Sequence, residues 1–404
     1  MKKWKEYQLK DVTTILGDGL HGTPKYDENG TVFFINGNNL VDGKIEIKDS
    51  TKRVSEDEAN KYRKNLNNRT ILVSINGTIG NVAKYKGEPC ILGKSACYFN
   101  VAEDFDLNFI YYVVASQQFK NAITRLATGT TIKNVSLETM RSYSFIAPSI
   151  DEQKRISAIL SSLDDKIELN RRINDNLEQQ AQALFKAWFV NNPNPNWREA
   201  TLSEVAHFIG GYSYNGEELT DSSNVAMATI KNFGRNGGFK VDGFKDITPS
   251  GKLKKCHYAN MFDILVAHTD LTQNADVIGN AELLLTKGNY ESIIFSMDLV
   301  KVLPNNSFPY KFLLAAMLKS KVFKGHCLGY VNGTTVLHLS KKALPEFEIK
   351  IPSESEANMM NDTLASLYKR MAEVLQENDR LTRLRDTLLP KLMSGELKIN
   401  DLNC

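Results

Sequence analysis

The chain has 404 residues, 42% of them hydrophobic and 24% charged, with a formal net charge of +3. That length favours two or more packed domains, and so mild a basic excess permits nucleic acid as a partner without demanding it. The five cysteines (Cys90, Cys97, Cys256, Cys327, Cys404) form no C-x-x-C pair, the opening MKKWKEYQLKDV lacks the apolar core of a signal peptide, and no apolar run approaches the roughly 20 residues of a membrane helix, so a reducing cytoplasm without membrane contact is the expected setting.

From the start of the chain, residues 1–148 mix short β-rich runs (TVFFI, TILVSI, ACYFNV) with Gly and Asn, and carry one longer helical stretch, NFIYYVVASQQFKNAI. This predicts a compact mixed domain. At Pro148 the pattern changes. Ser149 and Glu152 form a capping-box signature, in which each side chain satisfies a free backbone N–H of the first helical turn. Ile156, Leu160, Leu163, Ile167, Asn170, Asn174, Leu177, Ala181, Leu184 and Trp188 then recur in steps of four and three, a heptad seam. The spacing predicts a helix over 149–190, about 40 residues or roughly 60 Å long. The linker NNPNPNW ends it, because Pro and Asn break helices.

Residues 191–352 repeat the mixed plan, and residues 353–404 open on a second capping box, Ser353 with Glu356. A second seam follows: Leu364, Leu367, Met371, Val374, Asn378, Leu381, Arg385 and Leu388. The halves are an internal duplication. WKEYQLKDV at Trp4 parallels WREATLSEV at Trp197, an offset of 193, and TGTTIKNVS at Thr128 parallels NGTTVLHLS at Asn332, an offset of 204. Asn174 and Asn378 hold equivalent seam positions, where a buried Asn lowers stability and selects register. The expected fold class is α+β: two pseudo-symmetric α/β-mixed domains, 1–148 and 191–352, joined and spaced by two long antiparallel coiled-coil helices.

Enzyme signatures fail one by one. GEPCILGKS at Gly87–Ser95 has five residues between its glycines where a phosphate-binding loop has four. The E-x-K triplets within Lys44–Lys48 and Glu346–Lys350 read as half-buried strands, since no carboxylate in a P-D context precedes them. The six histidines have no metal-ligand spacing. Lysine clusters at 252–255, 319–324 and 341–342 read as solvated surface before phosphate-facing patches.

The GTT phrase, the Pro-Ser capping box, the first long helix ending LFKAWFV, and above all LTRLRDTLLPKLMSGEL at Leu381–Leu397 resemble the specificity (S) subunits of type I restriction-modification systems over essentially the full chain. The resemblance implies a non-catalytic subunit without cofactor of its own. Each mixed domain would be a target-recognition domain reading one half of a bipartite double-stranded DNA sequence. The helices would set the unread gap and dock two methyltransferase (M) subunits, which carry S-adenosylmethionine. Restriction (R) subunits using ATP and Mg can join such complexes. The competing readings are an autonomous nuclease or methyltransferase, a scaffold without sequence preference, and a recognition subunit of another bipartite-target enzyme.

Base edges are read by Arg, Lys, Asn, Gln, Ser, Thr and similar side chains on loops that approach DNA closely. Three segments per copy fit. In the first copy they offer Asn36, Asn38 and Asn39; Asn76, Thr78 and Asn81; and Thr130, Thr131, Lys133 and Asn134. Their expected counterparts are Lys231, Asn232 and Arg235; His268, Thr269, Gln273 and Asn274; and Thr334, Thr335 and His338. Asn and Gly are also the commonest turn formers, so each segment alone reads equally as a surface turn.

Overall fold

The computed structural model describes residues 4–129 and 132–399. The described residues of Met1–Asp165 and Thr382–Cys404 pack as one unit, and those of Lys166–Leu381 as a second. The division falls inside both long helices, Ile150–Phe185 and Glu354–Ser394.

In the first unit Lys5–Gln8 pairs antiparallel with Ser144–Ala147. A four-stranded sheet runs in the order Thr13–Asp18, Ala96–Val101, Thr70–Ser74, Val82–Lys84. Its two central strands are buried along their whole length, as the unbroken runs TILVS and ACYFNV require. A smaller sheet places Val32–Ile35 between Arg53–Val54 and Cys90–Leu92, the latter pair parallel. The GEPCILGKS stretch is therefore a strand and a turn. Helices Leu107–Ala115 and Gln117–Arg125 start where the side chains of Asp106 and Ser116 accept from the N–H groups of Phe109 and Phe119.

The second unit repeats this plan. Arg198–Thr201 pairs with Glu348–Ile351, so the second E-x-K lies on a strand. The main sheet runs Ala206–Gly210, Leu299–Pro304, Ile264–Ala267, Ala281–Leu283. Val225–Ala228 lies parallel to Ser292–Phe295, as its counterparts do in the first copy. Helices Lys311–Leu318 and Lys321–Leu328 follow, and Ser320 caps the second of them as Ser116 does.

The seams pair antiparallel within each unit. In the first, Ile156 and Leu160 are buried with Leu392 and flanked by Leu388 and Leu389. Asp164 Oδ1 takes a 3.0 Å bond from Arg385 Nη1, and its other oxygen accepts from the Tyr112 hydroxyl at 2.6 Å. In the second, Asn170 meets Asn378, while Ala181 and Phe185 share a groove with Tyr368. Beyond Phe185 the first helix winds as a π-helical turn, Lys186–Asn191, before the linker. The second capping box forms as expected: Glu356 Oε2 accepts from Ser353 N at 3.0 Å and from Ser353 Oγ at 2.6 Å. The linker docks on the same carboxylate, Trp197 Nε1 donating at 2.9 Å.

One lysine cluster corrects the surface reading. The Lys319 side chain is 8% exposed and ion-paired with Glu282 and Glu178. Burial opposes its charge, but the two carboxylates outweigh burial and raise its pKa. Among the described residues no helix is long and apolar enough to cross a membrane.

Candidate nucleic-acid interface

In the first unit the three polar segments are tied into one surface. Val135 N donates to Ile75 O at 2.8 Å and Gly77 N to Lys133 O at 3.2 Å, joining the second segment to the third. The Asn76 amide donates to Asn134 Oδ1 at 3.2 Å. Reciprocal backbone bonds between Thr128 and Asn134, 2.9 and 2.7 Å, close the GTT turn. Gly129 has φ of +104°, and a Cβ there would lie 2.4 Å from Ile132 O, so the turn needs glycine. Gly333 repeats both features, with φ of +113° and 2.2 Å to Val336 O. Lys133 and Thr78 are exposed, and Asn76 and Asn134 are half-buried. Thr130 and Thr131 lie outside the described residues.

The first segment joins through Ser95, whose hydroxyl donates to Asn36 Oδ1 and accepts from Gly37 N, both at 2.9 Å. Asn38 is exposed. Asn39 is different: it is 6% exposed, its Oδ1 accepts from Asn36 N at 3.0 Å and its amide donates to Glu46 O at 3.0 Å. The Asn81 amide likewise donates to Leu40 O at 3.0 Å. Asn39 and Asn81 hold the loop from within.

The second unit copies this frame and shifts one alignment. Asn232 is fully buried, accepts from Thr229 N at 2.8 Å and donates to Lys240 O at 2.7 Å. It is the structural equivalent of Asn39, so Thr229–Asn232 matches Asn36–Asn39, and the segment expected at 231–236 begins two residues late. Exposed Lys231 stands where Asn38 does. Asn280, absent from the expected set, repeats the clamp of Asn81 by donating to Gly234 O at 2.8 Å. Arg235 is exposed at a hairpin tip, 3.5 Å from Asp276.

Thr269 pairs with His338 in a short antiparallel ladder. Thr269 is buried and donates to Asp298 Oδ1 at 3.0 Å. Gln273 donates to Thr334 O, which ties the second segment to the GTT turn as Asn76 does in the first copy. Asn274, Thr334, Thr335 and His338 are exposed. His268 is half-buried; burial and the neighbouring His338 lower its pKa, favouring neutral imidazole.

Sequence reasoning missed a further set. Asp18, His21 and Lys94 line one groove with Asn76 and Asn134, and His21 Nε2 lies 2.6 Å from Asp18 Oδ2. In the second unit Leu271 and Met297 are large apolar side chains left 68% and 56% exposed. The only signal for Lys94 lay in the GKS of the failed phosphate-loop motif; nothing marked Met297.

Two copies of one mixed α/β frame, each presenting three interlocked polar loops and each carrying part of two long paired helices, define a tandem recognition protein. The type I restriction modification DNA specificity domain family matches residues 1–179 and again 194–389, and the chain belongs to that family. It is a DNA-recognition subunit with two target-recognition domains. The HindI specificity subunit of Haemophilus influenzae is 25% identical over 329 residues, 66% of this chain and 72% of that protein. The MjaIX specificity subunit of Methanocaldococcus jannaschii is 21% identical over 99% of this chain and 95% of its own length. The crystal structure of a type I restriction-modification S subunit from M. genitalium shares the fold, with a TM-score of 0.54 at 20% identity, covering 97% of this chain and 96% of that one.

Proposed function

We propose that the chain has no catalysis of its own and reads a bipartite double-stranded DNA target. Residues 1–148 take one half-site and residues 191–352 the other. The long helices set the unread gap and dock two methyltransferase subunits carrying S-adenosylmethionine; restriction subunits using ATP and Mg join the same complex. The free, buried thiols of Cys90, Cys97 and Cys327 suit a reducing cytoplasm.

The observation that carries this reading is the split between frame and tip. Both copies keep the glycine turns, the Asn clamps and the strand order. The loop residues differ: exposed Asn38 against exposed Lys231, half-buried Asn134 against exposed His338, exposed Lys133 against buried Leu337, and Thr78 against the longer 271–276 loop. A constant frame with divergent polar tips is what two readers of different sequences need, because base edges are discriminated by side-chain chemistry while positioning requires only a fixed scaffold. In this reading Asn39, Asn81 and Asn232 shape the loops, and Asn36, Asn38, Asn76, Thr78, Thr130, Thr131, Lys133, Asn134, Lys231, Arg235, His268, Gln273, Asn274, Thr334, Thr335 and His338 supply contacts. Thr269 acts by orienting its ladder.

The test is a domain exchange. Residues 1–148 are replaced by those of a relative, and methylated sites are mapped in cells that also express the methyltransferase subunits. One half of the target changes and the other half and the gap persist. A change in both halves would refute independent readers.

A further inference from the structure

Beside the reading loops each unit has one more tip, and we propose that its leading residue, Lys94 in the first copy and Met297 in the second, discriminates a base in its own half of the target. The proposal rests on the DNA-reading function above and extends it to a position outside the three segments.

The backbone at this position is the same in both copies and is held from every side. Ala96 N donates to Gly93 O at 3.0 Å and Leu299 N to Ser296 O at 2.9 Å, so each copy makes a β-turn with Lys94 or Met297 as its second residue. Lys94 N donates to Leu20 O at 3.0 Å; Met297 N donates to Tyr212 O at 2.9 Å. Isolated parallel bridges join Leu20 to Gly93 and Tyr212 to Ser296. The residue that follows locks the turn to the reading surface. Ser95 O accepts from Ile75 N and Asp298 O from His268 N, while the Ser95 hydroxyl holds Gly37 and the Asp298 carboxylate holds Thr269.

The side chains have no such constraint. Lys94 is exposed and among the described residues makes no ion pair, and it lines the groove that holds Asn76 and Asn134. Met297 is 56% exposed, and its neighbour Asp298 bonds Thr269 of the Thr269–His338 ladder. A turn fixed by its main chain, with a free side chain among polar tips, can vary its chemistry without disturbing the fold. The two copies have varied it from a cation to an apolar thioether. An ammonium is matched by guanine O6 and N7 in the major groove, and an apolar group by the thymine methyl. The first half-site is thus expected to carry a guanine at the Lys94 contact, and the second a thymine at the Met297 contact.

The experiment maps methylated sites for the full chain and its methyltransferase subunits with Lys94→Met, Lys94→Arg, Met297→Lys and Met297→Leu. Lys94→Met should lower discrimination at one base of one half-site by about 10- to 100-fold and leave the other half unchanged. Lys94→Arg and Met297→Leu should retain most of the preference; Met297→Lys should shift one base of the opposite half-site. Thermal melts matching the parent chain confirm folding. Unchanged preferences, or total loss of methylation by a folded variant, would overturn the proposal. So would a uniform weakening over all sequences with a salt slope reduced by about one, since that marks a phosphate contact. If the parent chain itself directs no bipartite methylation, the DNA-reading function fails instead.

Discussion

The amide of Asn170 donates to Asn378 Oδ1 at 2.9 Å across the two long helices, and the same amide donates to Glu377 Oε2 at 3.0 Å. Asn378 returns a 3.3 Å bond to Ile167 O. Duplication would place a second such pair at the mirrored site, where Asn174 corresponds to Asn378 and Val374 to Asn170. The Val374 side chain has no polar group to offer, and among the described residues both polar atoms of buried Asn174 lack a partner.

That asymmetry gives opposite outcomes for two similar substitutions. Asn174→Leu removes unsatisfied polar atoms from a buried seam and should raise unfolding stability by about 1–3 kcal/mol. Asn378→Leu removes the bond from Asn170 and the bond to Ile167 O, leaves the Asn170 amide the Glu377 carboxylate, and should lower stability by a similar amount. Urea unfolding of both variants checks this; equal signs would contradict it.

The seam also sets a length. One heptad inserted into each long helix at matching positions keeps the seam in phase and adds about 10 Å. DNA advances one turn of 10–10.5 bp in roughly 34–36 Å, so the unread gap should grow by about three base pairs. Methylome mapping of the double insertion reads the gap directly, and an unaltered gap rules out the helices as its determinant.

Asn39 and Asn232 should behave as structural residues. Each closes its own loop with two bonds from a buried side chain. Asn39→Ala or Asn232→Ala should lower stability by about 1–3 kcal/mol, while exposed Lys231→Ala should stay within about 0.5 kcal/mol. Thermal melts give the stabilities. Blurring of one half-site in methylated-site maps should accompany the lowered melt; a lost base preference at an unchanged melting temperature would show instead that the amide itself contacts DNA.

Glu356 predicts a pH dependence. Bonds from the Ser353 hydroxyl and then the Trp197 indole hold its carboxyl down to about 2, against the usual 4.5. A folded-state pKa below the unfolded one stabilises the fold above the unfolded value, and the contribution is lost as pH falls through the folded value. Glu356→Gln should therefore melt lower than the parent chain at pH 7, with the gap closing between about pH 4.5 and 2. Calorimetric melts across that range would expose a constant gap, the result that contradicts this assignment.

Much of the architecture could be read from short windows. The heptad steps from Ile156 to Trp188, the Ser353–Glu356 box and the repeated GTT phrase each depend on neighbours within about seven residues, so helix period, cap and duplication were visible without any tertiary contact. Alternation in Glu346–Lys350 also pointed to a strand, which forms over Glu348–Ile351, whereas in Lys44–Lys48 only Lys44–Ile45 is a strand and the Glu46–Lys48 triplet lies beyond it.

The roles of individual polar residues were not visible in that way. Asn38 and Asn39 are adjacent and chemically identical, yet one faces solvent and the other closes a loop against Glu46. Lys319 looks like its surface neighbours in sequence and is buried because Glu282 and Glu178 come to it from distant segments. Lys94 and Met297 become equivalent only when remote segments, Leu20 with Gly93 and again Tyr212 with Ser296, are laid side by side. Local periodicity and capping are properties of one stretch of chain, so the amino-acid order alone determined the helices and the repeat. Burial and the direction of a side chain depend on which remote strands pair, and only the tertiary structure decided them.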